Sequence, residues 1–408
     1  MSTHDAYFSR LQAALQAEGE LLPRLIVDLD RLDHNIDQAV AFAAQAGKAL
    51  RLVEKSLPSF QLLDYIARRA GTRRLMSFHQ PFLNLDAQHW PDADILLGKP
   101  LPAALAERFY QLHQGGFDPQ RQLQWLIDAP ERLQQYLALA QRRGIRLNVS
   151  LELDVGLHRG GIPEGEAGAR MLGEILRTIE QYPQHLAFTG FMGYEPHVAM
   201  VPRLFGSPAR LLAQAMATYQ ARVEQVQREA PDLWAQALAA DGQPPLTLNT
   251  AGSPTYRLHD QEQLSNELAL GSGLLKPAHF DLPSLADHLP ALFIATPVLK
   301  RAPSLSLPGL GRLPRLLSRL SGRGREAMFV YGGNWLADPV SPGGLAPSTL
   351  YGSSSNQQLL LAPTSAAPQL DELVFLRPRQ SEAVLLQFGD LLAVRGGQVV
   401  ERWPVFND

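Results

Sequence analysis

Between residues 25 and 250 the chain alternates short apolar runs with amphipathic stretches, and that alternation limits the possible folds more than any other feature. The runs 25–30, 49–55, 73–79, 94–98, 124–128, 147–154, 186–194 and 246–250 read as strands. The stretches 31–46, 60–70, 102–114, 131–143, 165–180 and 208–229 read as helices, with a weaker one ending near Trp90. Each strand run is continuously apolar, as in a parallel sheet covered on both faces. Eight strand–helix units predict an α/β fold, a (β/α)8 TIM-type barrel, over an open doubly wound sheet. After residue 290 the pattern changes to short strand-like runs, at 292–299, 327–331, 358–361, 372–376, 383–388 and 391–394. Gly396 and Gly397 then make a hairpin turn into 398–403. This predicts three parts: an N-terminal helix in 1–20 packing onto either domain, a barrel over 21–288, and a C-terminal β domain over 289–408. An insertion carrying Arg312, Arg315, Arg319, Arg323 and Arg325 and the Pro/Gly/Ser-rich stretch 337–355 read as long loops.

A barrel of this kind does its chemistry just past the carboxyl ends of its strands. Lys55 ends the run 50–55, and a lysine there is either a rim residue or an amine able to condense with an aldehyde cofactor. His79, Asp128, His158, Arg159, Tyr194 and His197 follow other strands. His79 can equally be a satisfied core histidine, and Asp128 a helix N-cap. The run from Asn249 to Tyr256 and the turn Gly271-Ser272-Gly273 are small and hydroxyl-rich. Backbone N–H groups and short hydroxyls of such turns can close on a phosphate.

Composition excludes several classes of function. Lys and Arg number 37 against 40 Asp and Glu, a net charge of −3, so nothing points to nucleic acid or an anionic membrane. Without cysteine the chain makes neither disulfides nor thiolate metal sites, which suits a cytoplasmic address. The first 20 residues have acidic and polar residues where a signal peptide has its apolar core. No apolar run approaches the ~20 residues of a membrane span. A soluble, cytoplasmic protein is expected.

Several segments together resemble the D-threonine aldolase/D-serine dehydratase family, pyridoxal 5′-phosphate (PLP) enzymes with an alanine-racemase-like barrel. They are residues 25–36, Lys55, the run from Leu151 to Gly161, the run from Gly193 to His197, the turn from Asn249 to Tyr256, the run from Glu267 to Ser272, and the closing 399–405. The resemblance implies that Lys55 holds PLP as a Schiff base and that Arg159 lies beside its ring. Tyr194 would stand near the ring or substrate, and His197 would be the base for a β-hydroxyl. Thr250, Gly252, Ser253, Tyr256, Gly271 and Ser272 would surround the phosphate. It also implies a homodimer in which one chain's β domain reaches the other's barrel mouth.

Departures from the family pattern sharpen the expectation. Ser56-Leu57-Pro58 stands where the family has Thr-His-Lys, and Gln358, Gln380 and Glu382 fall where it carries metal ligands. Amides are poor ligands for a zinc-like ion. The chain therefore reads as a PLP-dependent lyase, an aldolase or a dehydratase/deaminase, acting on a D- or β-hydroxy-amino acid without a divalent metal. A racemase, with Tyr331 or Tyr351 as a second base, and a non-catalytic PLP-binding homologue are the alternatives.

Overall fold

The structure is a computed structural model that describes residues 3–202, 204, 206–239, 246–302, 325–348 and 352–406. Its strands, in chain order, begin with β1 (Arg24–Asp28), β2 (Ala49–Val53), β3 (Arg74–Ser77), β4 (Asp94–Leu97) and β5 (Leu123–Ile127). Next come β6 (Leu147–Leu153), β7 (Leu186–Gly193), β8 (Thr247–Thr250) and β9 (Glu267–Leu270). Among the described residues, β2 to β9 close a parallel barrel in sequence order, as the alternation predicts. The intervening helices are delimited by their own chemistry. Ser59 caps the helix Phe60–Ala70 by accepting from Leu62 N, and Gly71 ends it in the left-handed region at φ 63°. Pro130 opens the helix Pro130–Arg143, and Gly144 ends it the same way.

The barrel is closed by β2 against β9, with Ala49 opposite Glu267 and Leu52 opposite Leu270. Arg51 points inside and is fully buried, its Nε 2.5 Å from Glu267 Oε1 and its Nη2 3.0 Å from Asp94 Oδ2. Arg74 and Asn249 also donate to Glu267. An inward arginine needs an acid opposite it, because removing one partner of a buried pair costs about 3–5 kcal/mol. This pairing fixes which strand closes the ring.

Two compact units divide the described chain, one comprising Ile36–Leu274 and Leu282–Asp287 and containing the barrel. The other comprises Met1–Asn35, Leu275–Asp281 and His288–Asn407. Its sheet contains β1, β10 (Leu292–Ala302), β11 (Arg325–Tyr331), β12 (Ala337–Ser341), β13 (Ala346–Pro347) and β14 (Gln357–Pro363). The remaining strands are β15 (Leu373–Pro378), β16 (Asp390–Arg395) and β17 (Gln398–Pro404). The helix Thr3–Ala17 packs Phe8, Leu11 and Leu15 against Ile26, Phe293, Phe375 and Leu392 of this sheet.

Three sequence expectations change here. The run 25–30 supplies β1, which pairs antiparallel with β10 and parallel with β16 instead of opening the barrel. Leu25, Ile26 and Val27 are fully buried, and such a run fits a central strand of either sheet. The eighth barrel strand is instead β9, whose apolar run is only 268–270 because it opens on the inward Glu267. The run 383–388 contains a helical turn, Glu382–Leu385, because only Val384 and Leu385 bury while Leu386 is 49 % exposed. The stretch 337–355 is not one loop, since it holds β12 and β13. Arg312, Arg315, Arg319, Arg323 and Tyr351 lie outside the described residues. No described helix is long and apolar enough to cross a membrane.

Candidate active site

With β2 as the first barrel strand, Lys55 follows strand one of the ring. The turn 251–256 then follows strand seven and Gly271 strand eight, the two positions where this barrel seats phosphates. Lys55 lies exposed in the single turn Glu54–Ser56, with Nζ 5.0 Å from the centre of the Phe78 ring. Phe78 in turn needs a glycine at 98, where a Cβ would come 2.1 Å from its Cζ. Beneath Lys55, Glu54 is fully buried and its Oε2 accepts from Ser77 Oγ at 2.5 Å. Burial, and then the neighbouring Asp86 carboxyl, hold Glu54 well above the usual carboxylate range. Asp86 is itself pushed up to about 7 by burial. Burial together with a like-charged neighbour disfavours ionising both acids, so the pair favours its protonated form.

The phosphate-side turns meet the lysine turn directly. A Cβ at Gly271 would fall 2.9 Å from Val53 O and 3.0 Å from Ser56 Cβ, so only glycine lets the loop after β9 rest on the lysine turn. Gly271 N and Gly273 N both donate to Ser253 Oγ, at 3.3 and 2.8 Å. Two backbone donors thus converge on one hydroxyl, and a Cβ at 252 or 271 would strike the Tyr194 ring or the lysine turn. At Gly252 a Cβ would lie 2.4 Å from Tyr194 Cε2, and Arg159 sits over the Tyr194 ring at 5.3 Å from its centre. Thr250 Oγ1 is buried and meets no hydrogen-bonding partner among the described residues. Ser272 is buried at the start of the short helix Ser272–Leu275. These residues fit a ring-and-phosphate cofactor joined to a lysine.

Other candidates take different places. Tyr256 is fully buried, edge-on to Phe42 at 5.4 Å, with its hydroxyl accepting from Arg257 Nε at 3.0 Å. Its ring props the turn from the core side. His197 packs its Nε2 3.2 Å from where a Gly156 Cβ would stand. It lines a cavity of about 490 Å³ with Val155, His158, Glu164, Gln214 and Thr218. Burial lowers the His197 pKa, Glu195 partly opposing it, so the imidazole is neutral near pH 7. Its Nδ1 is buried without a hydrogen-bonding partner among the described residues. His158 bonds Asp154 Oδ2 through Nδ1 at 3.0 Å, a structural contact within its own turn. His79 precedes the helix Gln80–His89, edge-on to Phe82. Asp128 does not cap the next helix, whose N-cap is Ala129. Burial, and after it the charge of Asp128, pushes Glu152 up to about 7.

In the β-sheet unit, Gln358 Oε1 accepts from Asn334 N at 3.1 Å and thereby closes the turn after β11. Glu382 accepts from Ser381 Oγ at 3.1 Å. Both are engaged locally, and the chain has no cysteine to add.

The sequence reading gave no role to Glu54, Phe78, Glu195 or His259. Glu195 sits in the quoted run from Gly193 to His197, but nothing in its spacing marks it as buried. It is 1 % exposed, and His259 is fully buried beside it.

Residues 27–277, more than half of the chain, match the family described as alanine racemase, N-terminal domain. The chain is 24 % identical over 398 residues to 3-hydroxy-D-aspartate aldolase of Paracoccus denitrificans (strain Pd 1222), covering 94 % of this chain and 91 % of that protein. The D-threonine aldolase of Filomicrobium marinum superposes with a TM-score of 0.68 at 19 % identity, over 94 % of this chain and 96 % of the other. The D-threo-3-hydroxyaspartate dehydratase of Delftia sp. HT23 gives 0.66 at 18 % identity, over 95 % and 97 %. Those two likenesses establish the fold, and the match over 27–277 goes further: the chain belongs to the alanine racemase N-terminal domain family.

Proposed function

We propose that this protein is a PLP-dependent amino acid lyase, an aldolase or dehydratase/deaminase acting on a D- or β-hydroxy-amino acid without a divalent metal. The observation that carries it is the contact of the Gly271 turn with Val53 and Ser56, which brings the Ser253 hydroxyl and the two N–H groups around it to the turn of a strand-end lysine. The aldolase and dehydratase relatives favour a lyase. When bound, PLP supplies an electron sink for bond breaking at the substrate's α- or β-carbon. Lys55 holds the cofactor through its amine, Arg159 and Tyr194 flank the ring, and Thr250, Gly252, Ser253, Gly271 and Ser272 take the phosphate. His197, its pKa lowered by burial, receives the proton of a β-hydroxyl in aldol cleavage or activates that group for departure in elimination. Gln358, Gln380 and Glu382 offer two amides and one carboxylate, too weak a donor set for a tight transition-metal site. The working form is a cytoplasmic homodimer. Racemisation is the second reading, favoured by the family match itself.

The experiment reduces PLP-loaded protein with borohydride and maps the label. Label on the Lys55 peptide, lost in Lys55→Ala, is the expected result, and label elsewhere overturns the assignment. Turnover is then assayed on D- and L-amino acids after dialysis against a chelator, with aldehyde, keto acid and enantiomer all followed. Aldehyde or keto acid is expected, whereas enantiomer alone makes the protein a racemase. Activity restored only by manganese, zinc or magnesium defeats the metal-free reading. His197→Gln is expected to lower lyase turnover by about two to four orders of magnitude while the Lys55 label remains.

A further inference from the structure

Glu195 follows β7 directly after Tyr194, and its carboxylate takes hydrogen bonds from both ends of the turn after β8. Oε2 accepts from Ala251 N at 3.2 Å, and Oε1 accepts from Thr255 Oγ1 at 2.6 Å. Thr255 Oγ1 in turn accepts from Gly252 N at 3.2 Å. Ala251 has φ 69°, a left-handed conformation that a residue with a Cβ adopts at a cost, so something must hold it there. Behind the carboxylate stands His259, with Nε2 3.3 Å from Glu195 Oε1 and Nδ1 3.6 Å from Glu262 Oε2. Glu262 closes the row at 2.8 Å from Lys48 Nζ. Acid and base alternate along four side chains that are buried or nearly so.

We infer that Glu195, backed by His259, is a positioning residue that splints the turn 251–255 for an anion, and that through it the site selects the phosphorylated form of its cofactor over the dephosphorylated form. The inference rests on the PLP reading above. Glu195 takes the Ala251 donor and Thr255 the Gly252 donor, and the turn so held sets the Ser253 hydroxyl where Gly271 N and Gly273 N both reach it. The Tyr194 ring grips the same turn at Gly252. Two adjacent residues at one strand end therefore set both the ring side and the phosphate side of the candidate site.

The test measures affinity for PLP and for pyridoxal, which has the same ring and aldehyde but no phosphate, by absorbance on the full-length protein. Glu195→Gln is expected to weaken PLP by about 10- to 100-fold, the range of one or two charge-assisted hydrogen bonds. Pyridoxal affinity is expected to stay near that of the wild type. Thr255→Val, which keeps the Glu195–His259 pair, is expected to shift PLP in the same direction by less and keeps the test alive if Glu195→Gln does not fold. Equal losses for PLP and pyridoxal, or no change in either variant, overturn the proposal alone. A wild type that takes up no PLP overturns the cofactor reading and this proposal with it.

Discussion

Glu54 stands one residue before Lys55, and Glu195 one residue after Tyr194. Both are glutamates at barrel-strand ends, both are essentially excluded from water, and each anchors a turn of the candidate site. Their partners differ. Glu54 meets another acid, Asp86, and a serine hydroxyl, so burial and like charge keep a proton on the pair. Glu195 meets an imidazole held between two carboxylates. Burial alone would push His259 down, but Glu195 and Glu262 outweigh it and raise it to about 9. The same residue type, at the same depth, serves as a neutral pin in one corner and as half of an ion pair in the other. The neighbour decides, not the burial.

The sharpest way to break this contrast is to delete each glutamate with an isosteric apolar residue. Glu195→Leu leaves a buried imidazolium facing only Glu262, and its expected cost is about 3–5 kcal/mol. Glu54→Leu removes a group that burial keeps protonated, takes one acid from beside Asp86, and is expected to cost only about 1–2 kcal/mol. Urea unfolding at pH 7 measures both. Equal losses would mean that the two corners do not differ in charge state.

A second test uses pH. His259 has its pKa raised on folding, from 6.5 to about 9. Its contribution is fully present below pH 6.5 and is lost as pH rises through about 9, a fall of roughly 3 kcal/mol at most. Glu262 is shifted the other way: burial is outweighed by His259, Lys48 and Ser265, which hold it far below the usual range. Its contribution is present above pH 4.5 and is lost in acid. His259→Gln should remove the alkaline fall in urea midpoint between pH 7 and 10. A variant that retains the wild-type slope would place the titrating group elsewhere.

Much of this arrangement was readable in the sequence, and the unread part has a common cause. Seven of the barrel strands stood out because strand and helix periods alternate locally, and Lys55, Tyr194, Ser253 and Gly271 stood out because strand ends are where such a barrel presents side chains. What stayed hidden depends on contacts far apart in the chain. Membership of β1 in one sheet or the other is decided by β10 and β16, more than 250 residues later. β9 is recognisable only once Arg51 is known to need Glu267. Glu195 and His259 are 64 residues apart, and neither sits in a spacing that announces burial. Tyr256 shows what position alone leaves open, because its turn is at the candidate site while its buried ring packs edge-on to Phe42.

The smallest effect, and the finest probe of the contrast, is expected from Asp86→Asn. Asparagine keeps the shape of the side chain and can donate to Glu54, but it cannot repel a second negative charge. In the wild type the two acids bind their protons more tightly folded than unfolded, with Asp86 titrating at about 7 instead of 3.8. Stability contributed by this corner is therefore present below about pH 4 and falls as pH rises toward and through about 7. With asparagine at 86, Glu54 loses its acidic neighbour, the pair loses one titrating proton, and the fall over that window becomes shallower. At pH 5 the variant should lie within about 1 kcal/mol of the wild type, since one neutral hydrogen-bonding group has replaced another. At pH 8 it should have lost less from its own pH 5 value than the wild type loses. Urea midpoints at pH 5, 7 and 8 read the two slopes, and parallel slopes would mean that Glu54 and Asp86 do not hold a proton between them.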